Sequence, residues 1–205
     1  MGYKDSGVKT PDIGMLRRQL SQHQIPKWRE EDNIIYFSVT SDGTTGEDWI
    51  SRLESKDFSV GDHAKQVLRS PDFKPTKGVT TEVSVLKGIL LENNDRSTKN
   101  VRTEAGKRKL EKPEPELACL IREKFTDKEI EQMGLWYIVA MHEPINDFAG
   151  DSCLLLANRF DDGCGLDVYY SKPDHEWGRD SGFAFVVPPT SATAVADKQE
   201  ITSKS

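Results

Sequence analysis

Cysteine is scarce in this chain, with three in 205 residues, at Cys119, Cys153 and Cys164. An odd count with no Cys-x-x-Cys pair and no Cys/His ligand spacing argues against a disulfide framework and a structural zinc, and free thiols fit a reducing compartment. Long apolar runs are missing too. No stretch of about 18 apolar residues occurs, and the opening MGYKDSGVKTPDIGMLRRQL has no apolar segment of the secretory kind, so the expectation is a cytoplasmic protein with no membrane partner. The hexapeptide MGYKDS does match the Gly2…Ser6 myristoylation pattern, which is loose enough to arise by chance. Positive charge is not in excess either. A net charge of −6 makes nucleic acid a poor partner unless cations concentrate locally. No repeat of twenty to fifty residues is visible.

The length suits one domain with tails. Residues 1–33 mix Gly, Pro, Gln and charge and read as a partly flexible arm, in which DIGMLRRQLSQH places Ile13, Leu16 and Leu20 at helical spacing. Residues 188–205, PPTSATAVADKQEITSKS, have too little apolar area to offset ordering and read as a disordered tail. Residues 34–187 carry the folding signals. A strand over Ile34–Thr40 leads to a helix over Glu47–Ser55 with Trp49, Ile50 and Leu53 on one side. A second helix starts at Ser59 or Gly61 and turns Ala64, Val67 and Leu68 inward, and VTTEVSVLKGILL alternates like a strand.

The middle is helical. Asp95 is the N-cap candidate for the first of its segments, Pro115 precedes the second, and Thr126 with Glu129 opens the third, which Gly134 ends. Four apolar runs follow, WYIVAMH, CLLLANRF, LDVYY and GFAFVVP, with Asp162-Gly163 as a hairpin turn between the second and third. The order predicts an α+β fold: a mainly antiparallel sheet, a C-terminal four-stranded meander, and several helices packed on it. The phrases SDGTTGEDW, SPDFKPT and GLWYIVAMHEPI, with the ending Gly182–Val186, resemble a group of small uncharacterised bacterial proteins over about residues 39–187. The resemblance implies a free-standing bacterial domain and transfers no activity.

Three segments hold polar groups in arrangements that chemistry uses. In TSDGTTGED a strand feeds a Gly-rich turn into a helix start, the geometry of an anion site, with Asp42, Thr44 and Thr45 as ligand-binding candidates. The stretch also echoes the Asp-x-Asp-Gly-Thr phrase of haloacid-dehalogenase-like phosphatases, yet Thr40 stands where the nucleophilic carboxylate belongs. Glu47 and Asp48 occupy the first helical turn, where a phosphate would sit, so turning the chain is the simpler role. His142, Glu143 and Asp151 gather around the end of an apolar strand and are the acid–base candidates of a metal-assisted hydrolase, although their spacing fits no ligand signature.

The basic segment 95–112 offers Arg96, Lys99 and Arg102 as nucleic-acid contacts, but its cations spread around the helix and do not form a stripe. His175 and Trp177, in a polar loop between the last two strands, are candidates for ligand contact. The leading expectation is a non-catalytic domain that binds another protein, with no cofactor and no metal. A hydrolase at the His142 strand end and a nucleic-acid-associated protein are the alternatives.

Overall fold

The computed structural model describes residues 26–93, 95–159 and 164–189. The arm helix at 12–23, the Asp162-Gly163 turn and all but two residues of the 188–205 tail lie outside them. Among the described residues the strands are β1 (Arg29–Glu31), β2 (Ile34–Asp42), β3 (Ser59–Val60), β4 (Lys77–Lys87), β5 (Tyr137–Ala140), β6 (Ile145–Asn146), β7 (Ser152–Asn158), β8 (Cys164–Tyr170) and β9 (Ser181–Val186). The helices are α1 (Gly46–Glu54), α2 (Asp62–Leu68), α3 (Thr98–Lys107), α4 (Leu117–Lys124) and α5 (Asp127–Gln132), with a 3-10 turn at Gly88–Leu90.

One sheet holds all nine strands, in the order β1-β2-β4-β9-β5-β7-β8-β3, with β6 paired to β7. It is mainly antiparallel, and the fold is α+β. Three of the four C-terminal apolar runs, β5, β7 and β8, form an antiparallel meander. The fourth, β9, crosses back over it and enters between β4 and β5, antiparallel to the first and parallel to the second.

Both faces of the sheet are covered, which is why its central strands read as near-continuous apolar runs. Ile35, Phe37, Val83, Val85, Ile138 and Leu155 point to one face, where α1, α2, α4 and α5 bring Trp49, Leu53, Val67, Ile121 and Ile130 against them. The alternate positions Leu86, Val139, Leu154, Leu156, Phe183 and Phe185 point to the other, covered by Val101 and Ala105 of α3 and by Trp177.

The caps follow from side-chain chemistry. Thr45 accepts the Asp48 N–H at the start of α1, and Thr126 and Glu129 form a reciprocal capping box on α5. At α3 the cap is Ser97, which accepts the Asn100 N–H, and not Asp95. Ser97 also sits in an antiparallel bridge with Glu176, so the backbone is already extended where the cap is needed. At α2 the cap is Gly61, while Ser59 belongs to β3.

Candidate functional site

The loop from Asp42 to Gly46 commits its two threonine hydroxyls to nearby carboxylates. Asp42 Oδ1 accepts the Thr44 N–H at 3.1 Å and the Thr44 hydroxyl, and Asp42 Oδ2 pairs with Arg52. The Thr44 hydroxyl bond and the Arg52 guanidinium hold the Asp42 carboxyl down at about 2. Arg52 also forms a two-point pair with Glu123 on α4, Thr45 donates to Asp48 Oδ2 at 2.7 Å, and Glu47 is paired with Arg69. The geometry is that of a strand-to-helix turn clamped by an ion pair. Gly43, at φ +86°, supplies the left-handed turn.

At the end of β5 the three acid–base candidates go separate ways. His142 is fully buried. Its Nε2 accepts the Leu155 N–H at 2.9 Å, so Nδ1 carries the proton and donates to the Glu143 carbonyl at 2.6 Å. Burial, helped by the nearby Arg102 charge, pulls the imidazole down to about 4. Glu143 points outward to Lys112. Asp151 belongs to a tight turn organised by its neighbour Asp147, whose Oδ1 accepts the Ala149 and Asp151 N–H groups while His63 on α2 sits at 3.0 Å from Oδ2. Among the described residues no group of three or more His, Cys, Asp or Glu could hold a metal ion.

His175 and Trp177 fasten the β8–β9 connection to α3. Trp177 is buried in the second core, its Nε1 donating to Thr98 at 3.0 Å, and the Thr98 N–H in turn donates to the His175 carbonyl. Tyr169, His175 and Trp177 pack ring on ring with centroids 4.5–5.0 Å apart. The three rings fill their own centre, and Trp177 works as core rather than as an open contact.

The basic residues give a different result, because the fold sorts them. Lys107 and Arg108 pair with Glu104 on the outer side of α3. Arg96 is buried just before the helix. Lys99 and Arg102, one turn apart, face an open trough of about 520 Å3 between α3, the end of β5 and the β8–β9 connection. Arg102 is held in place by donating to the Met141 and His142 carbonyls at 3.2 and 3.0 Å. Lys112 and Glu143 stand on another wall, and Thr98, Thr103 and Ser171 add hydroxyls.

The trough therefore gathers three cations against one carboxylate, and neither Lys99 nor Arg102 is ion-paired among the described residues. The backbone donors at the α3 start are already used, by His175 O, Pro173 O and the Ser97 hydroxyl, so side chains alone supply its positive charge. Sequence reasoning named Lys99, Arg102 and Glu143 but put them in two separate proposals. It counted Lys112 in the same basic segment as Lys99 and Arg102 without bringing it to Glu143, and it missed Ser171 and Pro173 as the far wall. Only the crossing of the β8–β9 connection over α3 brings these together, and no local signal carries that. No protein-family model, curated protein or solved structure matches the chain.

Proposed function

We propose that the protein is a non-catalytic binding domain that receives an acidic segment of a partner protein in the trough between α3 and the β8–β9 connection. The observation that carries this reading is the placement of Lys99, Arg102 and Lys112 around one concavity in a chain of net charge −6. Arg102 is pre-oriented by two backbone carbonyls, which lowers the ordering cost of a charge-assisted bond to a carboxylate. An acidic peptide fits better than nucleic acid because Lys99, Arg102 and Lys112 converge on one confined hollow. Further along α3, Lys107 and Arg108 share the single Glu104 carboxylate and neither lines the trough, so they do not extend its cations into a stripe along a phosphate backbone. The non-catalytic part rests on His142, whose two ring nitrogens are committed to backbone groups. A reducing, cytoplasmic setting suits the buried free thiols Cys119 and Cys153.

The test is fluorescence anisotropy with a labelled Glu-rich peptide at low and physiological salt. Binding is expected to weaken as salt rises, and to fall about tenfold or more in a Lys99→Glu, Arg102→Glu double variant. A wild-type chain that ignores the peptide but binds a single-stranded oligonucleotide, with the same two substitutions abolishing it, transfers the trough to nucleic acid and ends the protein-partner reading.

A further inference from the structure

We propose a second, separate site, for a phosphate-type oxyanion, in the pocket between Arg96 and Arg179. Arg96 is 7% exposed, yet its guanidinium has no counter-ion among the described residues. Its Nη2 donates to Asn93 Oδ1, and its Nε is buried with no hydrogen-bond partner among the described residues. A largely buried guanidinium with an unpartnered nitrogen and no counter-ion is costly to keep, since desolvation is offset only when its donors and its charge find partners.

The side chain lines a pocket of about 200 Å3 together with Arg179, Asn93, Glu92 and the turn residues 89–91. Arg179 comes from the opposite side, on the β8–β9 connection, and it too lacks an ion pair among the described residues. Two guanidinium groups on one small hollow match the forked recognition of a phosphoryl group, which would give the Arg96 guanidinium the partner of opposite sign that it lacks.

The site is built into the backbone. The Arg96 carbonyl accepts the Trp177 N–H at 2.9 Å, which ties the two arginine-bearing segments together. Gly88, in the 3-10 turn beneath, lies so close to the Gly178–Arg179 backbone that an added Cβ would stand 2.7 Å from the Gly178 carbonyl oxygen and 2.8 Å from that of Arg179. The absence of a side chain at Gly88 lets the Arg179 loop come down over the pocket. This site shares no lining residue with the Lys99–Arg102 trough.

Titration of the full chain with inorganic phosphate and, in parallel, methyl phosphate tests the proposal, read by 31P line broadening and by the rise in melting temperature, with chloride at matched ionic strength as control. Both readouts are expected to respond in wild type and in a Lys99→Gln, Arg102→Gln variant. The dissociation constant is expected to weaken about tenfold or more in Arg179→Gln. That residue is exposed, so the substitution keeps the fold and leaves acidic-peptide binding in the trough intact. Arg96→Gln, checked for folding by circular dichroism, is expected to abolish the response. Equal binding of the two ligands marks the phosphoryl end of a larger molecule, and binding of inorganic phosphate alone marks the free ion. No phosphate response in wild type overturns the site. So does a response untouched by Arg179→Gln and lost with the trough lysine and arginine.

Discussion

The imidazole of His142 holds a backbone N–H at Nε2 and donates from Nδ1, an arrangement open only to the neutral ring. In the sequence the same residue follows a run of apolar residues and precedes a glutamate, which is how a catalytic strand end reads. Residue order shows that a polar group arrives there, and nothing in it reveals that the neighbouring strand β7 offers Leu155 N–H to meet it. The burial has a consequence for stability. The folded state keeps the imidazole at about 4, below its ordinary 6.5, so between those values the unfolded chain binds a proton that the fold refuses. Stability from this group is complete above pH 6.5 and declines as pH falls toward 4, at about 1.4 kcal/mol per unit. Urea unfolding at pH 7 and pH 5 should show wild type losing about 2 kcal/mol more than His142→Gln, whose amide oxygen can take the Leu155 bond without titrating. Equal losses in the two proteins would mean that His142 is not held neutral by burial.

At the scale of elements, the helices were easier to read than the sheet. The capping box at Thr126 and Glu129, the inward faces of α1 and α2, and the Val101 and Ala105 stripe of α3 are all local patterns, and the structure keeps each of them. The short strands β1, β3 and β6, of two or three residues, have no period to recognise and exist because a longer neighbour pairs with them. The Asp42–Gly46 loop shows both sides. Its cap is Thr45, a residue type that favours helix starts, but nothing local shows the reason for Gly46. An added Cβ there would stand 1.8 Å from the Leu68 carbonyl oxygen, because the first turn of α1 abuts the last turn of α2. Intrinsic propensity favours alanine over glycine inside a helix by about 1 kcal/mol, while forcing two backbones apart costs about 3 kcal/mol or more. Packing wins. Gly46→Ala is expected to destabilise the protein more than Thr45→Ala, which removes only a cap worth about 1 kcal/mol. Comparing the denaturant midpoints decides it, and a neutral or stabilising Gly46→Ala would refute the contact.

For the molecule as a whole, the position of β9 is decisive and was the least visible feature of the sequence. The apolar pattern of Gly182–Val186 announces a strand, but the choice between lying beside β8 and crossing to β5 is made by pairing partners far away in the chain. In the observed order β9 alone joins the β1-β2-β4 ribbon to the β5-β7-β8 meander. Its residues feed both cores, Ala184 one and Phe183 and Phe185 the other. Gly182 is a tight point in this seam, since a Cβ would approach both Val85 on β4 and Leu135 before β5 to 2.8 Å. The ribbon and the meander therefore cannot come apart without exposing the apolar surface that β9 shares between them, and they should unfold together. Gly182→Ala is expected to lower stability by about 1–3 kcal/mol, the cost of overpacking a close-packed core, while keeping one cooperative transition followed alike by far-UV circular dichroism and tryptophan fluorescence. The slowest-exchanging amides should then fall in β4, β9 and β5 together, because β9 is hydrogen-bonded to both neighbours and its release opens each of them. Two separate transitions, with β4 amides exchanging well before those of β5, would show that the halves fold independently and that β9 belongs energetically to only one of them.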